Sequence, residues 1–241
     1  MPLNQRRIGR PMKSSSSANP KPTLLHIDSS ARVARSHSRR LSTAFVDAWL
    51  AEVPDTRVIR RDVGINPPPA INEQWIASAF TAEAERSADM KAALSISDAY
   101  VDELVQSDII VMGAPMYNYG MPAALKAWFD QVVRVNRTFN FDPSEDIWPL
   151  SPILAGKTLV ILTSRGEFGF EPGGIRQDWN HLETHIRTLQ HYLGVEDSHL
   201  IAVEYQEFGD TRHSDSVARA DSELQALVNR LTAQIEVYQT A

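Results

Sequence analysis

The sequence predicts a doubly wound α/β sandwich: one five-stranded parallel sheet in the order 2-1-3-4-5, with helices on both faces. Three observations carry this. Five short apolar runs alternate with helix-patterned segments along the chain, the arrangement expected of parallel strands joined by right-handed crossovers. Four of those runs are almost continuously apolar, as strands covered on both faces must be. The remaining run mixes arginines with Val58 and Ile59, and strand order 2-1-3-4-5 puts it at a sheet edge, where polar neighbours are tolerated.

The elements follow in chain order. "TLLHID" (23–28) is the first strand, and Leu41, Phe45, Ala48 and Trp49 at i, i+4, i+7 and i+8 form one apolar stripe of the helix after it. "TRVIRR" (56–61) is the edge strand, followed by a rigid connection, "NPPPAIN" (66–72). Residues 82–106, rich in Ala, Glu, Lys and Leu, read as a helix ended by Ser107-Asp108. "DIIVMG" (108–113) is the third strand. Pro122 opens a helix over 122–133, with Leu125, Phe129, Val132 and Val133 on one side. "DPSEDIWPLSP" (142–152) reads as a loop and "TLVILT" (158–163) as the fourth strand. A helix over 174–194 would end on Gly194, a C-cap residue. "HLIAV" (199–203) and a terminal helix over about 214–238 complete the chain.

Composition narrows the function. The 241 residues are 43% hydrophobic and 22% charged, with no apolar run of membrane-spanning length. There is no cysteine, which excludes disulfides, thiolate metal sites and a cysteine nucleophile, and favours a cytoplasmic setting. Residues 1–22 hold Arg6, Arg7, Arg10, Lys13 and Lys21 and no acid, so the chain's net charge of −6 leaves −11 on residues 23–241. An acidic body argues against nucleic-acid binding. The Ser- and Pro-rich basic tail, 1–22, is expected to be disordered and separate from the domain at 23–241.

In a doubly wound sheet the ligand sits beyond the carboxyl ends of the strands, where strand order reverses between the first and third. Three loops meet there: 28–38, 114–121 and 163–174. The first is "DSSARVARSHS", with Ser36-His37-Ser38 where a helix begins. Free first-turn amides and the positive helix end suit a phosphate, and Ser30, Ser36 and Ser38 add hydroxyls. The competing explanation is that Ser36 or Ser38 is only an N-cap. G-x-G-x-x-G does not occur, and Gly156-Lys157-Thr158 has Ser151 where a Walker A loop needs its first glycine, so neither pyrophosphate cradle is present and a terminal monophosphate is favoured. The second loop, Pro115-Met116-Tyr117-Asn118-Tyr119-Gly120, offers aromatics, a thioether and amides to a flat, partly polar ring, although Met116 and Tyr117 could instead cover the core. The third, "TSRGEFGFEPGG", lets backbone approach a ligand near Gly166.

"GAPMYNYGMPAALKAWFDQVVRVNRTFNF" (113–141) resembles the signature region of the FMN-dependent NADH:azoreductase and NAD(P)H:quinone oxidoreductase family. Ser29-Ser30 with Ser36-His37-Ser38, Thr163-Ser164-Arg165-Gly166, and "RDVGINPPPAIN" (61–72) resemble its other segments, in order over about 23–205. The resemblance implies a flavodoxin-like fold and an FMN enzyme with NADH or NADPH as co-substrate. It would pass two electrons to quinones or azo compounds by a ping-pong mechanism. By the same resemblance, Ser30, Ser36, His37 and Ser38 would bind the phosphate and ribityl chain. Met116, Tyr117, Asn118 and Tyr119 would line the ring, the last two supporting the chemistry through their amides. Ser164, Arg165 and Gly166 would meet its pyrimidine end.

Glu167 departs from the family's common glycine; its carboxylate either turns away or tunes the site. Phe139, Phe168 and Phe170 are expected at a substrate pocket, with Phe141 beside them. The resemblance also implies a homodimer with the active site at the interface, the helix 121–134 with Trp128 and Phe129 contributing to the contact. A flavodoxin-type electron carrier and a non-catalytic flavin-binding module remain as alternatives. No metal site is expected: His181 and His185 share a helix face without a further ligand, and no Ser-His-Asp constellation can be defended.

Overall fold

A computed structural model describes residues 21–240. The tail predicted at 1–22 therefore lies, but for its last two residues, outside the described residues. Five parallel strands form the main sheet: β1 (Thr23–Asp28), β2 (Arg57–Asp62), β3 (Ile109–Pro115), β6 (Lys157–Ser164) and β7 (Val195–Val203). Their order is β2-β1-β3-β6-β7, in parallel register throughout. This is the 2-1-3-4-5 arrangement expected from the sequence, with the arginine-rich β2 paired only to β1.

Side-chain alternation divides the core in two. Leu24, Val111, Val160 and Leu162 face one way, against Leu41, Phe45 and Trp49 of α1 (His37–Glu52) and Leu224, Leu227 and Val228 of α6 (Thr211–Thr240). Leu25, Ile27, Ile110, Met112, Leu159 and Ile161 face the other. That face receives α3 (Ala88–Gln106), α4 (Ala123–Val132) and α5 (Glu183–Leu189). Each fully buried large apolar side chain contributes about 1.5–3 kcal/mol, so the sheet's central strands anchor everything placed at their ends.

Several elements differ from expectation, each for a local physical reason. Residues 73–80 form a short helix, α2 (Glu73–Phe80), because Asn72 caps it by accepting from the Trp75 amide at 2.9 Å. The Trp75 indole then donates to the side chain of Gln131 at 2.8 Å and docks α2 on α4. α3 starts at Ala88 rather than 82, capped by Ser87. The loop expected at 142–152 is partly a hairpin: β4 (Phe139–Phe141) pairs antiparallel with β5 (Leu150–Pro152). The single helix expected over 174–194 is broken into α5 flanked by two 3-10 turns. The His181 amide explains the break, since it donates to the Tyr119 carbonyl at 2.9 Å instead of joining a helical ladder. Gly194 does cap the segment, at φ 81°.

Trp128 and Phe129 are buried in the chain's own core, 0% and 1% exposed. Their side chains are therefore not available for the subunit contact expected of them.

The join between β3 and α1 leaves no room for a side chain at Gly113, where a Cβ would lie 2.6 Å from Asp28 Oδ1 and 3.0 Å from Ser42 Oγ. Gly113→Ala is expected to cost about 1–3 kcal/mol, as overpacking does. Urea denaturation should show a lower midpoint with an unchanged slope.

Candidate functional site

The carboxyl ends of β1, β3 and β6 open into one cleft. It is lined by Ser30, Arg32, Arg35, Ser36 and His37 on one side, Pro115, Met116 and Tyr117 on a second, and Ser164, Gly166, Gln206 and Glu207 on a third. Of the residues expected from the sequence, Ser30, Ser36, His37, Met116, Tyr117, Ser164 and Gly166 come together here.

The first loop is built around the start of α1. Ser36 is the N-cap, its Oγ accepting from the Arg39 amide at 3.3 Å and lying 3.2 Å from Ser38 Oγ. Capping and cleft lining thus coexist in Ser36, while Ser38 is fully buried behind it. The amides of His37 and Ser38 are first-turn donors without a helical acceptor, at the positive end of a helix of 16 residues. Arg32 and Arg35 bring two guanidiniums, neither in an ion pair among the described residues. Burial lowers the His37 pKa from its ordinary value, and the neighbouring His213, Arg40 and Arg32 lower it further. His37 is accordingly neutral at pH 7 and sits edge-on to His213, with ring centroids 4.9 Å apart.

Behind this loop, Arg39 hydrogen-bonds to the carbonyls of Ser30 and Arg32 and doubly to Asp62, at 2.6 and 2.7 Å. Asp28 stands 3.5 Å away and also accepts from Ser42 Oγ at 2.7 Å. Gly64 must be glycine for a steric reason: a Cβ there would lie 2.2 Å from the Ser30 carbonyl oxygen.

The second loop is a tight turn in which Tyr117 and Gly120 exchange both backbone hydrogen bonds, at 2.9 and 3.0 Å. Asn118 and Tyr119 between them have φ of 48° and 66°, the geometry of a type I′ turn. The left-handed region is ordinary for asparagine but costs about 1–2 kcal/mol for tyrosine. Such strain persists only where surrounding contacts enforce it, and here the His181 amide and the Trp179 ring, 5.5 Å from the Tyr119 ring, do so. In this turn the amides of Asn118 and Tyr119 take no acceptor among the described residues, so both remain available as donors. Tyr117 reaches the other way: its hydroxyl accepts from the Ala31 amide at 3.2 Å and lies 3.4 Å from Ser30 Oγ.

Other expected residues stand behind the cleft rather than on its walls. Arg165 is 3% exposed, its guanidinium held by Glu183 and, at 2.9 Å, by Glu204. Its amide donates to Val203. Glu167 faces Arg176 at 3.4 Å, so its carboxylate turns away from the cleft. Phe168 stacks on Tyr205 at 4.6 Å, Phe170 is buried beneath Tyr119, and Phe139 packs on Tyr192. Phe141 is exposed on the β4–β5 hairpin. Sequence reasoning missed Arg32, Arg35, Gln206 and Glu207. The run "ARVAR" beside the serines was a usable signal for the two arginines, but residues 206 and 207 carry none.

These groups fit a flavin mononucleotide. At one end are helix amides, hydroxyls and two arginines suited to a dianion; at the other Met116 lines the wall, and the free amides of Asn118 and Tyr119, suited to a polar ring edge, stand on the adjoining turn outside the lining residues. There is no second basic cluster of the kind a pyrophosphate extension would need among the residues lining the cleft.

Partial burial works against ionisation of Asp62, but the bonds from Arg39 and from the amides of Ile65 and Gly64 outweigh it and lower its pKa. A carboxylate with a depressed folded pKa contributes stability that is present above its unfolded value, near 3.9, and lost as pH falls through the folded value. Denaturation midpoints are therefore expected to fall on acidification below about pH 4. Asp62→Asn should flatten that part of the profile and lower stability at pH 7.

The flavodoxin-like fold family model matches residues 22–228. The chain is 49% identical over 217 residues to "FMN-dependent NADH:quinone oxidoreductase 2" of Idiomarina loihiensis, covering 87% of this chain and 90% of that protein. It is 42% identical over 202 residues to "FMN-dependent NADH:quinone oxidoreductase 1" of Pseudomonas fluorescens, covering 83% and 95%. Among solved structures, an azoreductase from Bacillus anthracis superposes with a TM-score of 0.77 at 19% identity, covering 87% of this chain and 99% of that one. An FMN-dependent NADH-azoreductase from the same species, in complex with FMN, gives 0.76 at 14% identity, covering 88% and 100%; at these identities the likeness concerns the fold. Matched by the family model over residues 22–228 and 42–49% identical to these two relatives over most of their length, the chain belongs to the family of FMN-dependent NADH:quinone oxidoreductases.

Proposed function

We propose that this chain carries two electrons from NADH or NADPH to a quinone, and to azo compounds as further acceptors, in a ping-pong cycle with FMN held in the cleft. The observation that carries the proposal is the nearness of two unlike donor sets, one lining the cleft and one on the turn that continues its Met116–Tyr117 wall. An anion-binding turn stands at α1, and a strained turn with two free amides stands at 117–120. When bound, FMN supplies the hydride acceptor and donor for both half-reactions.

The chain's own residues bind, orient and exclude. The amides of His37 and Ser38, the hydroxyls of Ser30 and Ser36, and the guanidiniums of Arg32 and Arg35 hold the phosphate. His37 contributes its backbone amide. The amides of Asn118 and Tyr119 would donate to heteroatoms of the ring, and Met116 would supply an apolar wall. Backbone near Gly166 faces the remaining edge, where preorganised donors favour negative charge without reorganising. Arg165 keeps the backbone beneath that edge in place through Glu183 and Glu204. A single open face of the cleft, shared in turn by the nicotinamide and the acceptor, would impose ping-pong order. A second copy of the chain would complete the walls of that face, and Tyr119, Trp179 and Ile175, all exposed, would lie near the join. The absence of cysteine and of any membrane-crossing helix among the described residues accords with a cytoplasmic enzyme.

Initial rates with NADH and menadione at several fixed concentrations of each are expected to give parallel double-reciprocal lines. Intersecting lines would reject the ping-pong order, and negligible FMN-dependent turnover would reject the enzyme reading in favour of a carrier. Asn118→Ala forces a residue ill suited to the left-handed region into the turn at a cost of about 1 kcal/mol. A melting temperature lower by roughly 2–4 °C should accompany slower reduction in stopped flow. An unchanged reduction rate would remove the 117–120 turn from the site.

A further inference from the structure

We propose that Arg39 is the positioning residue that makes this cleft selective for a phosphorylated flavin, and that it acts through one peptide group, Ser30–Ala31. The inference rests on the FMN reading above and deepens it. A trans peptide points its C=O and N–H in opposite directions. In this one, the Ser30 carbonyl accepts from Arg39 Nη2 at 2.6 Å and Nε at 3.2 Å. The Ala31 amide at the other end donates to Tyr117 Oη at 3.2 Å. The peptide is gripped from both sides, by the first helix and by the ring-binding loop.

The grip has an electrostatic consequence. Carbonyl oxygens left facing the cleft would repel a dianion. Arg39 draws two of them inward, since its Nε also bonds the Arg32 carbonyl at 2.9 Å. Ser30, which lines the cleft, accepts through its Oγ from the Arg32 amide at 3.2 Å and so orients the turn that carries Arg32.

The guanidinium has little left to offer a ligand. Its side chain is 12% exposed, Asp62 and the two carbonyls take its donors, and Arg39 is not among the residues lining the cleft. It therefore acts through the loop rather than by touching phosphate. A lysine would keep the charge but could not hold two carbonyls and a carboxylate in fixed planar directions.

The test compares FMN with riboflavin, which lacks only the phosphate, by quenching of flavin fluorescence on the flavin-free protein. It uses wild type, Arg39→Lys and Tyr117→Phe. Wild type should prefer FMN. In Arg39→Lys the preference should fall about tenfold or more, the loss of roughly one well-directed charge-assisted contact, while riboflavin affinity changes less than about twofold. Tyr117→Phe keeps the ring and removes only the hydroxyl, so it should move the preference the same way by a smaller factor. It decides the matter if Arg39→Lys fails to fold.

A preference unchanged in both variants overturns the inference, because charge alone would then suffice. Parallel loss of both ligands overturns it too, by reducing Arg39 to general scaffolding. A wild-type protein that binds the two flavins equally would instead fail the cofactor reading itself, which keeps the two failures distinct.

Discussion

A cleft that takes an anion must keep backbone carbonyl oxygens turned away from it. In this protein that constraint falls on Arg39, whose guanidinium sits beneath residues 30–32 and binds the carbonyls of Ser30 and Arg32 while Asp62 fixes it from the edge strand. The arrangement couples three elements. β2 ends at Asp62, α1 carries Arg39, and the residue after β2's turn, Gly64, must lack a side chain so that Ser30 can approach. Burial and the Asp62 bond oppose each other in setting the Arg39 pKa; the hydrogen bond to Asp62 dominates and raises it. The clamp is therefore charged at any working pH.

The ring end of the cleft is held by comparable means. The strained turn at 117–120 is braced by His181 and Trp179, and the segment bearing those residues is fixed through Asn180. Its amide side chain donates to the Phe170 carbonyl at 3.0 Å and to Glu183 at 2.5 Å. Glu183 in turn holds the buried Arg165 together with Glu204. Two carboxylates share the Arg165 guanidinium, and Arg219 stands 3.9 Å from Glu204 on the more exposed side of the cluster. Removing either partner of such a cluster leaves an uncompensated charge, so its role is to fix the loops from β6 and β7 relative to the ring turn. Phe168, stacked on Tyr205 with Arg176 over its face, adds a second brace on the same loops.

Much of this was legible in the sequence, and the limits have physical causes. The sheet order follows from the apolar runs, because burial on both faces leaves a signature that needs no partner to be recognised. Ser36-His37-Ser38 could be placed at a helix start for the same reason: capping is local. Arg39 could not be read, since its partners lie up to 23 residues away at Asp62 and its bonds to carbonyls carry no side-chain signature. The Tyr117 hydroxyl was expected near the ring, yet it reaches loop one across 86 residues of sequence to Ala31. The helix expected over 174–194 failed because a tertiary bond from His181 to Tyr119 outcompeted the local ladder. The β4–β5 hairpin escaped because strands of three residues have too few positions to show a period. Of the phenylalanines expected at a substrate pocket, Phe168 stacks on Tyr205 and Phe170, 2% exposed, packs against Tyr119.

The decisive feature is where a terminal phosphate sits relative to the first turn of α1. A crystal structure of the protein grown with FMN measures this directly. The phosphate oxygens are expected within hydrogen-bonding distance of the His37 and Ser38 amides, with Arg32 and Arg35 closing over them and the Ser30 carbonyl still turned to Arg39. Density for the phosphate in solvent, or at any other strand end while the α1 turn stays filled by water, would contradict it.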